Sequence, residues 1–121
     1  MINLYFAYLL NVTDGDTFKA RVPVWQGVEI VTAVRVNGID APEIKGKCDF
    51  EKVKAKEATA ALSNFLQKAK SVTLQNVKDD KYSGRVVADV MVDGKSLSSE
   101  MIRTGLVRPY SGGTRLGWCG N

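Results

Sequence analysis

Nine consecutive residues, Arg35-Val36-Asn37-Gly38-Ile39-Asp40-Ala41-Pro42-Glu43, carry one arginine and two carboxylates where an apolar alternation gives way to Gly and Pro. Val34 and Val36 describe a strand, Ile39 resumes after Gly38, and Pro42 stops ordinary pairing just before Glu43. The charges therefore fall where a strand becomes a loop, a usual place for chemistry. A second acidic pair, Asp14 and Asp16, flanks Gly15 in a turn, and Arg85 opens a later β-branched run. If folding joins these strand ends, Asp16 and Asp40 offer hard oxygen ligands to a divalent cation such as Ca²⁺. Glu43 is then placed to activate water, and Arg35 and Arg85 can clamp a phosphate with forked donors that lysine does not reproduce. A metal, a base and two guanidiniums together are what phosphodiester hydrolysis requires. Taken singly these residues are ordinary. An exposed Asp-Gly-Asp is usually just a turn, and the stretch from residue 35 to 43 reads equally well as a solvated strand end.

Other chemistries are excluded by what is missing. The chain has no histidine, so neither a Cys/His zinc site nor a Cys-His nucleophile can form. It also lacks a serine elbow and a phosphate-cradling Gly-rich loop. Cys48 and Cys119 are the two cysteines. They read either as a disulfide, which over so long a loop would add about 4 kcal/mol in the chain-entropy model, or as two unrelated buried thiols. The net charge of +4 favours a polyanionic partner, although a lysine-rich solvated face would look the same.

The elements that must position these groups are legible as changes of period. With 121 residues, 45% of them hydrophobic and 25% charged, residues 1–121 are expected to form one domain with a real core. The apolar start, residues 1–10, has no basic residue before it and no small-residue cleavage site after it. It also falls short of the roughly 20 apolar residues that span a bilayer, so it predicts a first strand. Leu4, Phe6, Tyr8, Leu10 and Val12 share one face of that strand, a turn follows at residues 13–16, and residues 17–22 return as the second arm of a hairpin. Residues 23–27 break the pattern before a third strand, Val28–Val36. Between residues 49 and 70, Ala58, Leu62, Phe65, Leu66 and Ala69 mark one helical face, with Asp49 as N-cap and Lys68 and Lys70 at the C-terminal end. Lys52, Lys54 and Lys56 read as the wet start of this helix rather than as a nucleic-acid patch. Residues 71–77 and 85–92 give two more strands, and Ser96 caps a short helix that Gly105 ends. The Gly-rich tail from residue 108 is expected to fold back onto the body. Five strands with a helix between the third and fourth is the order of a five-stranded OB-fold Greek-key barrel with two helices, mainly β with α, while pattern alone leaves an α+β sandwich open.

With these residues in view, the sequence resembles the staphylococcal (micrococcal) nuclease, or thermonuclease-like, family. Val12-Thr13-Asp14-Gly15-Asp16-Thr17 is similar to its first signature and the stretch from Arg35 to Glu43 to its second. Asp80-Lys81-Tyr82-Ser83-Gly84-Arg85 is similar to its third. The segment from Asp93-Gly94-Lys95 to Gly105-Leu106 is like its last strand and helix, so the resemblance covers nearly the whole chain. It implies an OB barrel and a Ca²⁺-dependent hydrolase that cleaves DNA and RNA with little sequence preference, favouring single-stranded or locally open segments. By resemblance, Asp16 and Asp40 are calcium ligands, Ala41 contributes its backbone carbonyl, and Glu43 is the proposed general base. Arg35 and Arg85 bind the scissile phosphate, Tyr82 lies beside the nucleotide, and Asp14 orients the metal site. Ala41 stands where the best-known member has threonine, a change that keeps the carbonyl, and Ser83 adds a residue ahead of Arg85. The tail resembles that of short bacterial homologues, in which a cysteine just after the second signature accompanies one at the C-terminus. That favours a Cys48–Cys119 bridge, and with it a secreted or periplasmic place, although a cytoplasmic one stays open. No membrane and no obligate protein partner is expected, so the protein should be a monomer. The rival reading is a non-catalytic OB-fold nucleic-acid-binding module. Such modules typically lack some of the five charged residues Asp16, Arg35, Asp40, Glu43 and Arg85, all present here. A third, purely structural reading, a small secreted barrel stapled by a disulfide, leaves those five as coincidence.

Overall fold

Residues 3–80 and 84–120 are described by a computed structural model of the chain. Among them nine strands and two helices follow in the order β1 (Leu4–Phe6), β2 (Tyr8–Asp14), β3 (Thr17–Trp25), β4 (Val28–Val36), β5 (Ile39–Asp40), α1 (Asp49–Lys68), β6 (Val72–Asp79), β7 (Arg85–Val92), β8 (Lys95–Ser96), α2 (Leu97–Arg103) and β9 (Arg108–Pro109). The main sheet runs β1-β6-β7-β4-β3-β2, β8 adds to β7, and β5 and β9 pair separately. All five expected strands are present, with α1 between the third and fourth, which is the α+β order of an OB fold. The first of them is divided. β1 pairs with β6 and β2 with β3, and Ala7 between them donates its N–H to the Val72 carbonyl at 2.9 Å. The hydrogen-bonded path is therefore not closed into a barrel. Its two ends are halves of one strand that changes partner at Ala7, so chain continuity, not a ladder, joins them.

The core lies between this curved sheet and the helices. Phe18, Ala20, Val34, Val36, Leu74, Ala88 and Val90 meet Ala58, Leu62 and Leu66 of α1 and Leu97 and Met101 of α2. On the first strand the inward face is the reverse of the apolar one in the sequence. Tyr5, Ala7 and Leu9 pack inward, whereas Leu4, Phe6, Tyr8 and Leu10 are exposed. A register shift between Leu9 and Asn11 then turns Val12 back toward the core, so a single period never ran the length of the strand. β3 also continues past its expected end, through Pro23 to Trp25, with an irregularity there and Gly27 at a positive φ of 76° in the turn.

Helix α1 starts and stops differently from expectation. Its N-cap is Cys48, extended at φ −147° and ψ 162°, whose sulfur accepts from the Glu51 N–H at 3.5 Å. Asp49 is the first helical residue, where its charge still complements the helix dipole. The C-terminal end comes at Lys68 because Ala69 is extended, and the Lys70 N–H turns to the Asp93 carboxylate at 2.9 Å. α2 begins as expected, with Ser96 Oγ accepting from the Ser99 N–H at 3.3 Å, and Gly105 follows it at φ 74°. No described helix is long and apolar enough to cross a membrane.

The tail does fold back. Arg108 donates to the carbonyls of Leu116 at 3.0 Å and Gly117 at 2.8 Å while its guanidinium lies 3.7 Å from the Trp118 ring centre. Cys119 is bonded to Cys48, with an S–S distance of 2.11 Å.

Candidate active site

Strand register brings the separated motifs together. In the β3–β4 pair Thr17 lies opposite Arg35, and the Val36 N–H donates to the Asp16 carbonyl at 2.8 Å, which seats the Asp14-Gly15-Asp16 turn beside the end of β4. β4 runs parallel to β7 with Ala33 opposite Arg85 and Arg35 opposite Val87, so the two arginines arise two residues apart along one edge. The β5–β9 pair sets Asp40 opposite Arg108, and the Tyr110 N–H donates to the Gly38 carbonyl at 2.8 Å, drawing the tail across the same end. Behind the turn stands α1. A Cβ on Gly15 would lie 2.6 Å from the Ala58 Cβ and 2.9 Å from the Ala41 Cβ, so only glycine lets the helix approach.

Four carboxylates face one another here. Asp16 is buried, and its oxygens accept from Thr17 Oγ1 at 2.9 Å and the Ala41 N–H at 3.0 Å. Asp14 accepts from the Asp16 N–H at 3.1 Å. Its pKa is pushed up to about 7, first by burial, then by the hydrogen bond and charge of Asp16 and by the Glu43 charge. Asp40 is only 2% exposed, and its Oδ1 accepts no hydrogen bond among the described residues. That oxygen instead meets Arg115 Nη2 as an ion pair at 2.5 Å, while Arg115 Nη1 lies 3.4 Å from the exposed Glu43. Burial alone would lower the Arg115 pKa, but Asp40, Asp16 and Glu43 together raise it.

The guanidiniums line the other side. Arg35 donates to the Ile39 carbonyl at 3.1 Å, lies 3.6 Å from Asp16 and sits 5.7 Å from the Tyr110 ring centre. Arg85 Nε donates to Asp80 Oδ2. With Asn37, Val87, Tyr110 and Arg115 they border a cleft of about 240 Å³. Asp14, Asp16, Arg35, Asp40, Ala41, Glu43 and Arg85 are thus brought to one end of the sheet. Tyr82, and Ser83 beside it, lie outside the described residues.

Three contributors escaped the sequence reading. Glu51, buried at the start of α1, accepts from the backbone N–H of Glu43 at 3.0 Å and of Lys47 at 3.1 Å, and so shapes the loop that carries Glu43. Its place three residues after Cys48 was the available signal, since a side chain there can reach back to free amides. Tyr110 and Arg115 come from the tail. A Cys48–Cys119 bridge would have implied that Arg115, four residues from Cys119, returns near Glu43.

The donor set suits a hard cation. The two buried carboxylates of Asp16 and Asp40, the latter already drawing a guanidinium to its Oδ1, and the nearby Ala41 carbonyl are all oxygen donors. The described trio of ligating side chains with donor atoms within 4.8 Å of one another is Cys48, Glu51 and Cys119. Its sulfurs are spent in the disulfide, so it is not the metal site.

A family model described as staphylococcal nuclease homologue matches residues 33–114. No curated protein matches the chain. The matched span takes in Arg35, Asp40, Glu43 and Arg85 and reaches the tail just short of Arg115.

Proposed function

Because the chain belongs to the staphylococcal nuclease homologue family, we propose that it is a calcium-dependent nuclease, a hydrolase that cleaves phosphodiester bonds of DNA and RNA with little sequence preference. The observation that carries this reading is a cleft lined by Arg35 and Arg85, in which Arg35 lies 3.6 Å from the buried Asp16 and Arg115 pairs with the buried Asp40. Asp16, Asp40 and the Ala41 carbonyl are the groups that would hold Ca²⁺, with Asp14 orienting Asp16 through its backbone N–H. When bound, Ca²⁺ supplies positive charge at the phosphate and polarises water.

The remaining work falls to the chain. Arg35 and Arg85 offer planar forks to the phosphate oxygens and offset the charge that grows as water attacks. Glu43, exposed and paired with Arg115 beside the cleft, accepts the proton of that water. Tyr82 is proposed to lie against the nucleotide. Contacts directed at phosphate carry no base information, which accounts for weak sequence preference. A cleft of about 240 Å³ suits one phosphate better than a duplex, which favours single-stranded or locally open segments. The Cys48–Cys119 disulfide supports a secreted or periplasmic place for a protein acting as a monomer.

Denatured DNA incubated with the protein and CaCl₂ should be cleaved, and excess chelator should abolish cleavage. Glu43→Gln and Arg35→Ala should each slow it by about 10² to 10³-fold. Chelator-resistant cleavage, or variants as fast as the parent, would overturn the mechanism. DNA binding without cleavage by the parent protein would make it a non-catalytic module instead.

A further inference from the structure

Arg115 is the charged member of this site that comes from the tail, and it holds two groups to which the reading above gives other tasks. Its guanidinium pairs with Asp40 Oδ1 at 2.5 Å and with Glu43 at 3.4 Å. The segment that delivers it is fastened on both sides. Arg108 grips the carbonyls of Leu116 and Gly117, Tyr110 Oη donates to the Gly113 carbonyl at 2.7 Å, and Cys119 is bonded to the N-cap of α1. A side chain tethered in this way acts at high effective concentration.

Asp40 is buried, so in its charged form it needs a cation beside it, and Arg115 fills that place at Oδ1. A divalent cation held by Asp40 would lie next to the Arg115 guanidinium already paired with that carboxylate, and the two positive charges repel at such a distance. We propose that Arg115 is a built-in competitor of the divalent cation: it neutralises Asp40 and Glu43 in the cation-free protein and gives up that hold when the cation binds. The inference rests on the reading of Asp16 and Asp40 as the cation site. Coupling of this kind is reciprocal, so the cation must loosen the tail by as much as the tail weakens the cation.

Calorimetric titration of the oxidised full chain with CaCl₂ tests this, using the parent, Arg115→Ala and Arg115→Lys. Arg115→Ala should bind Ca²⁺ about tenfold more tightly, with Arg115→Lys between it and the parent. The lysine variant is decisive because it keeps the charge and loses only the fork: a general field effect would leave its affinity unchanged. If Arg115→Ala does not fold, the lysine variant decides alone. In the parent, amide hydrogen exchange over residues 111–117 should quicken when Ca²⁺ is added. Equal or weaker Ca²⁺ binding by the variants, or tail amides that slow on adding Ca²⁺, overturns the competition. Failure of parent and variants alike to bind Ca²⁺ refutes the cation site itself, and the competition with it.

Discussion

Glu51 and Asp14 are acidic side chains drawn in from solvent that both act on the Glu43 segment, and their surroundings treat them in opposite ways. Glu51 receives the N–H groups of Glu43 and Lys47, and these bonds, Glu43's first, hold its carboxyl below the ordinary glutamate value. Asp14 is desolvated and crowded by Asp16 and Glu43, and its pKa rises to about 7. One carboxylate is satisfied by the chain itself. The other belongs to a set with more negative charge than local donors, which is the arrangement an external cation completes. The difference separates a carboxylate satisfied within the chain from a cluster whose charge the proposed cation would complete.

The largest expected effect reaches both regions through the wall behind them. Gly15→Ala must push a methyl group against Ala58 and Ala41, and it should cost about 3 kcal/mol in urea unfolding. A loss under 1 kcal/mol would mean that α1 does not set the turn's position. Next in size, Glu51→Ala leaves two amides near the Cys48 cap without their acceptor and should cost about 2 kcal/mol.

The pH dependence sharpens the contrast. The depressed Glu51 pKa contributes stability that is present above the ordinary value of 4.5 and lost as pH falls through the lower folded value, so Glu51→Ala should flatten that acid limb. Asp14 has the opposite sign. Its raised pKa means that stability is fullest below 3.8 and lost as pH rises toward about 7. Asp14→Asn keeps an acceptor for the Asp16 N–H, so without added Ca²⁺ it should raise stability at pH 8 by about 1 kcal/mol and remove the decline between those values. Destabilisation by Asp14→Asn at pH 8 would break the comparison, because Asp14 would then be as well satisfied as Glu51.

Local patterns made much of this readable. β4 and β7 begin and end where β-branched runs do, and Ser96 and Gly105 bracket α2 through the chemistry of their own side chain and backbone. Arg35, Asp40 and Glu43 were legible because they sit in one contiguous stretch whose strand and turn signals agree. What escaped depended on long-range closure. The inward face of the first strand is chosen by a change of partner at Ala7 and a register shift, neither of which leaves a periodic trace. Cys48 was passed over as N-cap because a sulfur is not among the usual capping groups, and the adjacent aspartate is. Arg115 lies in a Gly-rich segment without period, and only the disulfide and the Arg108 grip carry it to Asp40.

The divided first strand also imposes an order of events on a chain being made from its N-terminus. β2 can pair with β3 as soon as the hairpin between them exists, but Leu4 must wait for Gln75 and Phe6 for Thr73. Until those residues emerge, β1 is an unpaired edge that displays Leu4 and Phe6, side chains that remain exposed even in the finished fold. An edge of that kind is open to pairing with a neighbouring chain. The switch at Ala7 that lets one strand serve two partners therefore also leaves the N-terminal segment open to partners while the chain is being made.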